Sequence, residues 1–142
     1  MLNIELSIIT VNYNGLKDTC ALIDTIPFDE YSLEVIVVDN ASKEDEATII
    51  AARYPQVHVV RSPKNLGFAG GNNLGIQAAK GKYLYFINND TVLFRGEKQE
   101  VTAKKTLLPL IDRLESSDKI GMVCPKIRFA WNDAPIQFAG YT

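Results

Sequence analysis

The sequence predicts an α/β protein of Rossmann-like type, a mostly parallel central sheet with helices on both faces. Short apolar runs rich in β-branched and aromatic residues occur at 6–11, 33–38, 57–60 and 83–87. Segments with helical spacing separate them, and such β–α alternation is the signature of a parallel sheet. Several runs also stop abruptly in polar residues: Asn12-Tyr13-Asn14-Gly15, Asp39-Asn40 and Asn88-Asn89-Asp90. Open parallel sheets bind ligands outside the carboxyl ends of their strands, so these residues are candidate binding groups.

The first strand, 6–11, runs into the turn Asn12-Tyr13-Asn14-Gly15, and a helix is expected from Lys17 to Ile26, closed by Pro27. The second strand, 33–38, ends at Asp39-Asn40. Ser42 with Asp45 three positions on resembles a capping box with a shorter acid, and Ala47, Ile50, Ala51 and Tyr54 follow at helical spacing. A helix over 43–53 is expected, stopped by Pro55. The third strand, 57–60, contains the only histidine, His58, which alternates with apolar neighbours and reads as a strand residue without a catalytic task. Residues 62–73 form a glycine- and asparagine-rich stretch leading to an expected helix over 72–80. Its glycines either build a plain tight turn or let backbone N–H groups approach a phosphate.

The fourth strand, Tyr83-Leu84-Tyr85-Phe86-Ile87, suits a sheet covered on both faces and delivers Asn88, Asn89 and Asp90 to its end. Asp90 offers a hard anionic oxygen to Mg²⁺ or Mn²⁺, with Asn88 and Asn89 as neutral oxygen donors, which points to a metal-assisted diphosphate site. Residues 95–105 are polar and read as an exposed connection. Leu107, Leu110, Ile111 and Leu114 share a helical face, with Pro109 in the first turn. A fifth strand is expected over 119–125, then a hairpin pairing 127–129 with 136–139 across a turn that contains Asp133.

The composition bounds the rest. With 142 residues, 46% hydrophobic and 23% charged, the chain reads as one domain over 1–142. A net charge of −2 gives no electrostatic reason to expect nucleic acid. Cys20 and Cys124 stand far apart without metal spacing and read as small hydrophobes of a reducing compartment. No leader-like segment opens the sequence, so a cytoplasmic location is expected, with any peripheral association at the inner membrane face supplied by segments absent from this sequence.

Four stretches, Thr10-Val11-Asn12-Tyr13-Asn14, Val37-Val38-Asp39-Asn40-Ala41-Ser42, Asn65 to Asn73 with its Gly-Phe-Ala-Gly-Gly-Asn-Asn run, and Asn88-Asn89-Asp90-Thr91, together resemble family 2 glycosyltransferases of GT-A fold. The branch they look most like is the rhamnosyltransferase-like one that builds surface polysaccharides. The resemblance implies a nucleotide-diphosphate sugar donor, a saccharide or lipid-linked saccharide acceptor, and inverting transfer to an acceptor hydroxyl. It places Thr10, Asn12 and Asn14 around the base and Asp39 on the base or ribose. It sets Asn65, Gly67, Gly70, Gly71 and Asn72 beside the nucleotide and donor sugar. Asn88, Asn89 and Asp90 take the Asp-x-Asp position, where a divalent cation bridges the donor phosphates. Asn88 replaces the first acid, leaving Asp90 as the metal carboxylate and implying metal bound mainly as a nucleotide complex. The family's catalytic base comes from a segment after this sequence, so the chain reads as the donor-binding part, truncated at its C-terminal side and inactive alone.

A non-catalytic nucleotide-sugar-binding module would use the same pocket and is told apart by a downstream carboxylate. A dinucleotide-dependent oxidoreductase is excluded because Asn-Tyr-Asn-Gly, not G-x-G-x-x-G, follows the first strand. A sugar nucleotidyltransferase would show a glycine-rich basic loop there.

Overall fold

The computed structural model describes residues 4–93, 103–129 and 135–138. The chain gathers into two compact units, residues 1–101 and 102–142. The first carries a parallel sheet of four strands in the order β3-β2-β1-β4, formed by β1 (Leu6–Asn12), β2 (Leu33–Asp39), β3 (His58–Arg61) and β4 (Tyr83–Phe86). Helices α1 (Leu16–Ile23), α2 (Glu46–Arg53) and α3 (Gly67–Ala78) connect them.

Strand residues alternate between faces, and here the alternation separates two packing layers. Ile9 and Val11 face α3: a Cβ added at Gly75 would stand 2.5 Å from Ile9 Cγ2, and one at Gly71 would stand 2.9 Å from Val11 Cγ1. Ile9, Ile36 and Val38 form the core of that layer with Leu74 and Ala78 of α3. On the other face Ile8, Val35 and Val37 are buried, as are Leu22 and Ile23 of α1 and Ala47 and Ile50 of α2. In-register pairs Ile9↔Ile36, Thr10↔Val37 and Asn12↔Asp39 bring the polar ends of β1 and β2 side by side.

Several boundaries depart from the sequence expectations. Helix α3 begins at Gly67, not Asn72, because its glycines serve close packing on β1 and not loop flexibility. The cap of α2 is Asp45, whose carboxylate accepts from the Thr48 N–H at 3.2 Å, and not Ser42, whose hydroxyl donates to Asp39. Strand β4 pairs with β1 alone among the described residues and alternates half-buried and exposed positions, with Leu84 and Phe86 at 40% and 45% exposure. It is an edge of the described sheet, in contrast to the covered strand expected. Helix α1 stops at Ile23, where Thr25 turns its hydroxyl back to the Leu22 carbonyl.

The second unit contains α4 (Ala103–Thr106), α5 (Leu108–Glu115) with Pro109 in its first turn, and an antiparallel hairpin of β5 (Ile127–Arg128) and β6 (Ile136–Phe138). Residues 119–125 form no strand, correcting the fifth-strand expectation: the run finds no ladder partner among the described residues, and Pro125 has no N–H to give one. The expected polar connection before residue 103 and the hairpin turn with Asp133 lie largely outside the described residues.

Tyr54, buried at the end of α2, ties that helix to α1 by donating to Asp24 Oδ1 at 2.7 Å beside the Cys20 carbonyl. Burial first, and the Asp24 hydrogen bond second, push its phenol well above the ordinary tyrosine range. A raised pKa in the folded state favours the neutral phenol, so its stabilisation is complete below the unfolded value, about 10, and is lost as pH rises beyond it. Denaturant titrations at pH 8 and pH 11 should show a loss for the native chain that is smaller in Tyr54→Phe.

Candidate functional site

The carboxyl ends of the strands are built by four segments. The β1–α1 loop and the β2–α2 loop are bolted together through side chains. Asn12, fully buried, donates from Nδ2 to Glu46 Oε2 at 2.7 Å and to Asp39 Oδ1 at 3.1 Å, while its Oδ1 accepts from Thr19 Oγ1 at 2.6 Å. Ser42 donates to Asp39 at 2.6 Å and accepts from the Asn14 N–H at 2.9 Å. Asn14 in turn accepts from the Lys43 N–H at 2.8 Å, and Gly15 N–H donates to Glu46 at 3.1 Å. Asn14 (φ 52°) and Ala41 (φ 66°) adopt left-handed backbone, which each costs of order 1–3 kcal/mol and persists where surrounding bonds overdetermine it. The result is a rigid tip on which Tyr13, 47% exposed, stands out.

The third segment is the start of α3. Asn40 Oδ1 accepts from the Leu66 N–H at 2.9 Å and its Nδ2 donates to Asn65 Oδ1 and the Gly67 carbonyl, each at 3.1 Å. Asn40 thus latches the end of β2 to the first turn of α3, where Gly67 supplies the positive φ of 71°. The fourth is the turn after β4, closed by the Thr91 N–H to the Asn88 carbonyl at 3.1 Å. Asn89 reaches back to Thr19 Oγ1 at 3.1 Å, so close to the first loop that a Cβ at Gly15 would stand 2.5 Å from its Nδ2.

These segments enclose a cavity of about 500 Å³ whose walls are Val11, Tyr13 and Asn40, Asn65, Gly67 and Phe68, and Asn88, Asn89 and Asp90. Part of the lining is aromatic and part carries oxygen donors. A second hollow, of about 410 Å³ between Ile26–Glu30 and Gln56, contains none of the expected site residues.

The expected site residues divide into two sets. Asn65, Gly67, Asn89 and Asp90 line the cavity. Thr10 and Asn12 are fully buried on the sheet face away from Val11; Thr10 Oγ1 is the one buried side-chain polar atom without a partner among the described residues. Asp39, 6% exposed, and Asn14 belong to the loop clamp. Gly70, Gly71 and Asn72 lie inside α3, where Gly70 meets Leu66, Gly71 meets Val11, and Asn72 donates to its own helix at the Phe68 carbonyl. Sequence reasoning missed Thr19, Ser42 and Glu46 as builders and Phe68 as a wall, and it named Asn40 and Tyr13 only as members of the polar strand ends. Asn40, Ser42, Tyr13 and Phe68 sat within the quoted motifs; nothing in local spacing pointed to Thr19 or Glu46.

Among the described residues no three His, Cys, Asp or Glu side chains converge on a metal position. Asp90 is a single exposed carboxylate flanked by two amides. That set does not make a protein cage, but it fits Mg²⁺ or Mn²⁺ held by one carboxylate plus ligand phosphates and water, the usual manner of binding these ions.

The chain matches the family model described as Glycosyl transferase family 2 over residues 7–134. It is 36% identical over 96 residues to an uncharacterized glycosyltransferase of Haemophilus influenzae, covering 67% of this chain and 32% of that protein. It is 29% identical over 121 residues to the amylovoran biosynthesis glycosyltransferase AmsB of Erwinia amylovora, covering 81% of this chain and 38% of that one. Among solved structures, S. aureus TarS 1-349 superposes with a TM-score of 0.61 at 24% identity, over 89% of this chain and 40% of that chain. The mannosyltransferase PcManGT of Pyrobaculum calidifontis, solved with GDP-Man and Mn²⁺, does so with a TM-score of 0.55 at 23% identity, over 64% of this chain and 29% of that one. The chain therefore spans well under half the length of these relatives, and the structural likenesses establish the fold.

Proposed function

The chain belongs to glycosyl transferase family 2, and from that premise we propose that it carries the donor-binding half of an inverting enzyme that moves a sugar from a nucleotide diphosphate to an acceptor hydroxyl in surface-polysaccharide synthesis. The observation that carries the reading is the cavity lined both by aromatic side chains, Tyr13 and Phe68, and by oxygen donors, Asn88, Asn89 and Asp90. A base with its flat apolar faces suits the first set and a cation-bearing diphosphate the second. Relatives point the same way: AmsB is named for amylovoran biosynthesis, S. aureus TarS 1-349 was solved with UDP-GlcNAc, and PcManGT with GDP-Man and Mn²⁺.

In this reading Asp39 takes the base or ribose as an acceptor, Asn12 and Asn14 serve the base indirectly by bracing the loop that carries Tyr13, and Thr10 packs beneath that loop. Asn65 and Gly67 meet the donor beside the start of α3, while Gly70, Gly71 and Asn72 set how closely that helix approaches. Asp90, with the Asn89 amide oxygen, holds Mg²⁺ or Mn²⁺ together with the diphosphate. The ion supplies Lewis-acid neutralisation of charge developing on the leaving nucleoside diphosphate. No Lys or Arg side chain lines the cavity among the described residues, which makes that neutralisation the more necessary. The base that deprotonates the acceptor, and the acceptor pocket, belong to the longer protein.

Calorimetric titration with dTDP, UDP and GDP, each with and without Mn²⁺, tests this. One nucleotide should bind in a metal-dependent way and more weakly in Asp39→Ala. Failure of all of them, both with this chain and with the longer protein, would sink the reading.

A further inference from the structure

Glu46 neither lines the cavity nor packs as core, yet its residue is only 9% exposed. No cation meets its carboxylate among the described residues, where the ion pairs join Arg53 to Asp24 and Arg61 to Asp45. A carboxylate withdrawn from water without a cation is costly, and its place in the first turn of α2 offsets only part of that. Asp45 already caps the helix, so capping does not account for Glu46.

We propose that Glu46 is a positioning residue that fixes, through Asn12 and Thr19, the polarity of Asn89, so that Asn89 turns its amide oxygen and not its NH₂ toward the cation and diphosphate side of the pocket. The inference rests on the donor-site reading above. The chain of bonds has one consistent direction. Asn12 lies between two carboxylates, Glu46 Oε2 at 2.7 Å and Asp39 Oδ1 at 3.1 Å, and two hydroxyls: its Nδ2 also reaches Ser42 Oγ at 3.2 Å, while its Oδ1 accepts from Thr19 Oγ1 at 2.6 Å. Ionised carboxylates only accept, so the amide must give them its NH₂ and keep its oxygen for Thr19. Thr19 then spends its single O–H on Asn12 and has only lone pairs left. Asn89 must therefore approach Thr19 with Nδ2, as it does at 3.1 Å. An amide that spends its NH₂ on Thr19 keeps its oxygen for another partner, and Asn89 lines the cavity beside Asp90. An NH₂ there would suit a bare phosphate; an oxygen suits a cation. Glu46 reinforces the arrangement by also accepting the Gly15 N–H, at the one place where only glycine leaves room for Asn89.

The test compares nucleotide affinity with and without Mn²⁺ by calorimetry, using UDP, dTDP and GDP in turn, alongside thermal melts. Thr19→Val keeps the shape but breaks the relay, and should cut the Mn²⁺ enhancement by about tenfold, the size of outer-shell effects on metal sites. The metal-free affinity should stay within about twofold. Glu46→Met should lower the enhancement similarly, and Glu46→Gln, which keeps an oxygen for Asn12 and Gly15, should restore it. A purely structural role would lower the melting temperature of Thr19→Val and leave the enhancement unchanged; that result overturns the inference while the donor reading stands. A native chain that binds none of these nucleotides more tightly with Mn²⁺ overturns the metal-donor reading and this inference with it.

Discussion

Asn12→Asp is expected to destabilise the chain by about 3–5 kcal/mol, the cost typical of a buried charge left without its partner. The native amide gives its two N–H groups to Glu46 and Asp39, from a position with no solvent exposure. Replacing that nitrogen by oxygen removes both donors and sets a third acidic group against two others at hydrogen-bond distance. The new group can relieve this only by holding a proton, which is itself unfavourable near neutral pH. For a chain of this size the loss corresponds to a fall in melting temperature of roughly 10–20 °C. Asn14→Asp is the matched control. Asn14 is exposed and uses its Oδ1 to accept from the Lys43 N–H, a bond an aspartate can make equally well, and Asp tolerates left-handed backbone. Its melting temperature should move little. Equal shifts in both variants would mean that the acidic cluster around Asn12 is not what stabilises the loops.

Much of the first unit was legible because its signals are local. The runs that became β1 and β2 are mostly β-branched and apolar, as suits strands buried on both faces, and their polar ends identified the binding edge. What local signals misread was set by tertiary packing. Gly67, Gly70 and Gly71 have poor helix propensity and read as loop, yet Gly67, Gly71 and Gly75 recur every four residues, and the last two press α3 onto Val11 and Ile9. That spacing was the available clue. Asn40 shows its role only through partners 25 to 27 positions away, and Glu46 only through Asn12 and Gly15, 34 and 31 positions away. The candidate site followed the same rule: Asn65, Gly67, Asn89 and Asp90 reach the cavity, while Thr10 and Asn12, chosen from the same motif, turned to the opposite face because strand residues alternate. The run at 119–125 reads as a strand in isolation and is not one, since a strand requires a partner.

Asp90→Ala should abolish most of the metal-dependent part of nucleotide binding. Among the described residues Asp90 is the only carboxylate in the cavity wall, and Asn88 and Asn89 contribute no charge. Mg²⁺ and Mn²⁺ bound through few protein oxygens depend on each anionic one, and losses at residues that merely orient a ligand already reach about 10–100-fold. Removing the ligand itself should therefore cost on the order of 100-fold in Mn²⁺-enhanced affinity. Metal-free affinity should hold or rise slightly, because the carboxylate repels the diphosphate when no ion stands between them. Stability should change little, since Asp90 is exposed and lies in a turn closed by the backbone bond from Thr91 to Asn88. Asp90→Asn separates charge from oxygen: it keeps an amide oxygen at the same place, and if charge is what holds the ion it should be almost as damaging as alanine. Retention of the Mn²⁺ effect in both variants would remove Asp90 from the metal site and move the search to the donor phosphates and to other carboxylates.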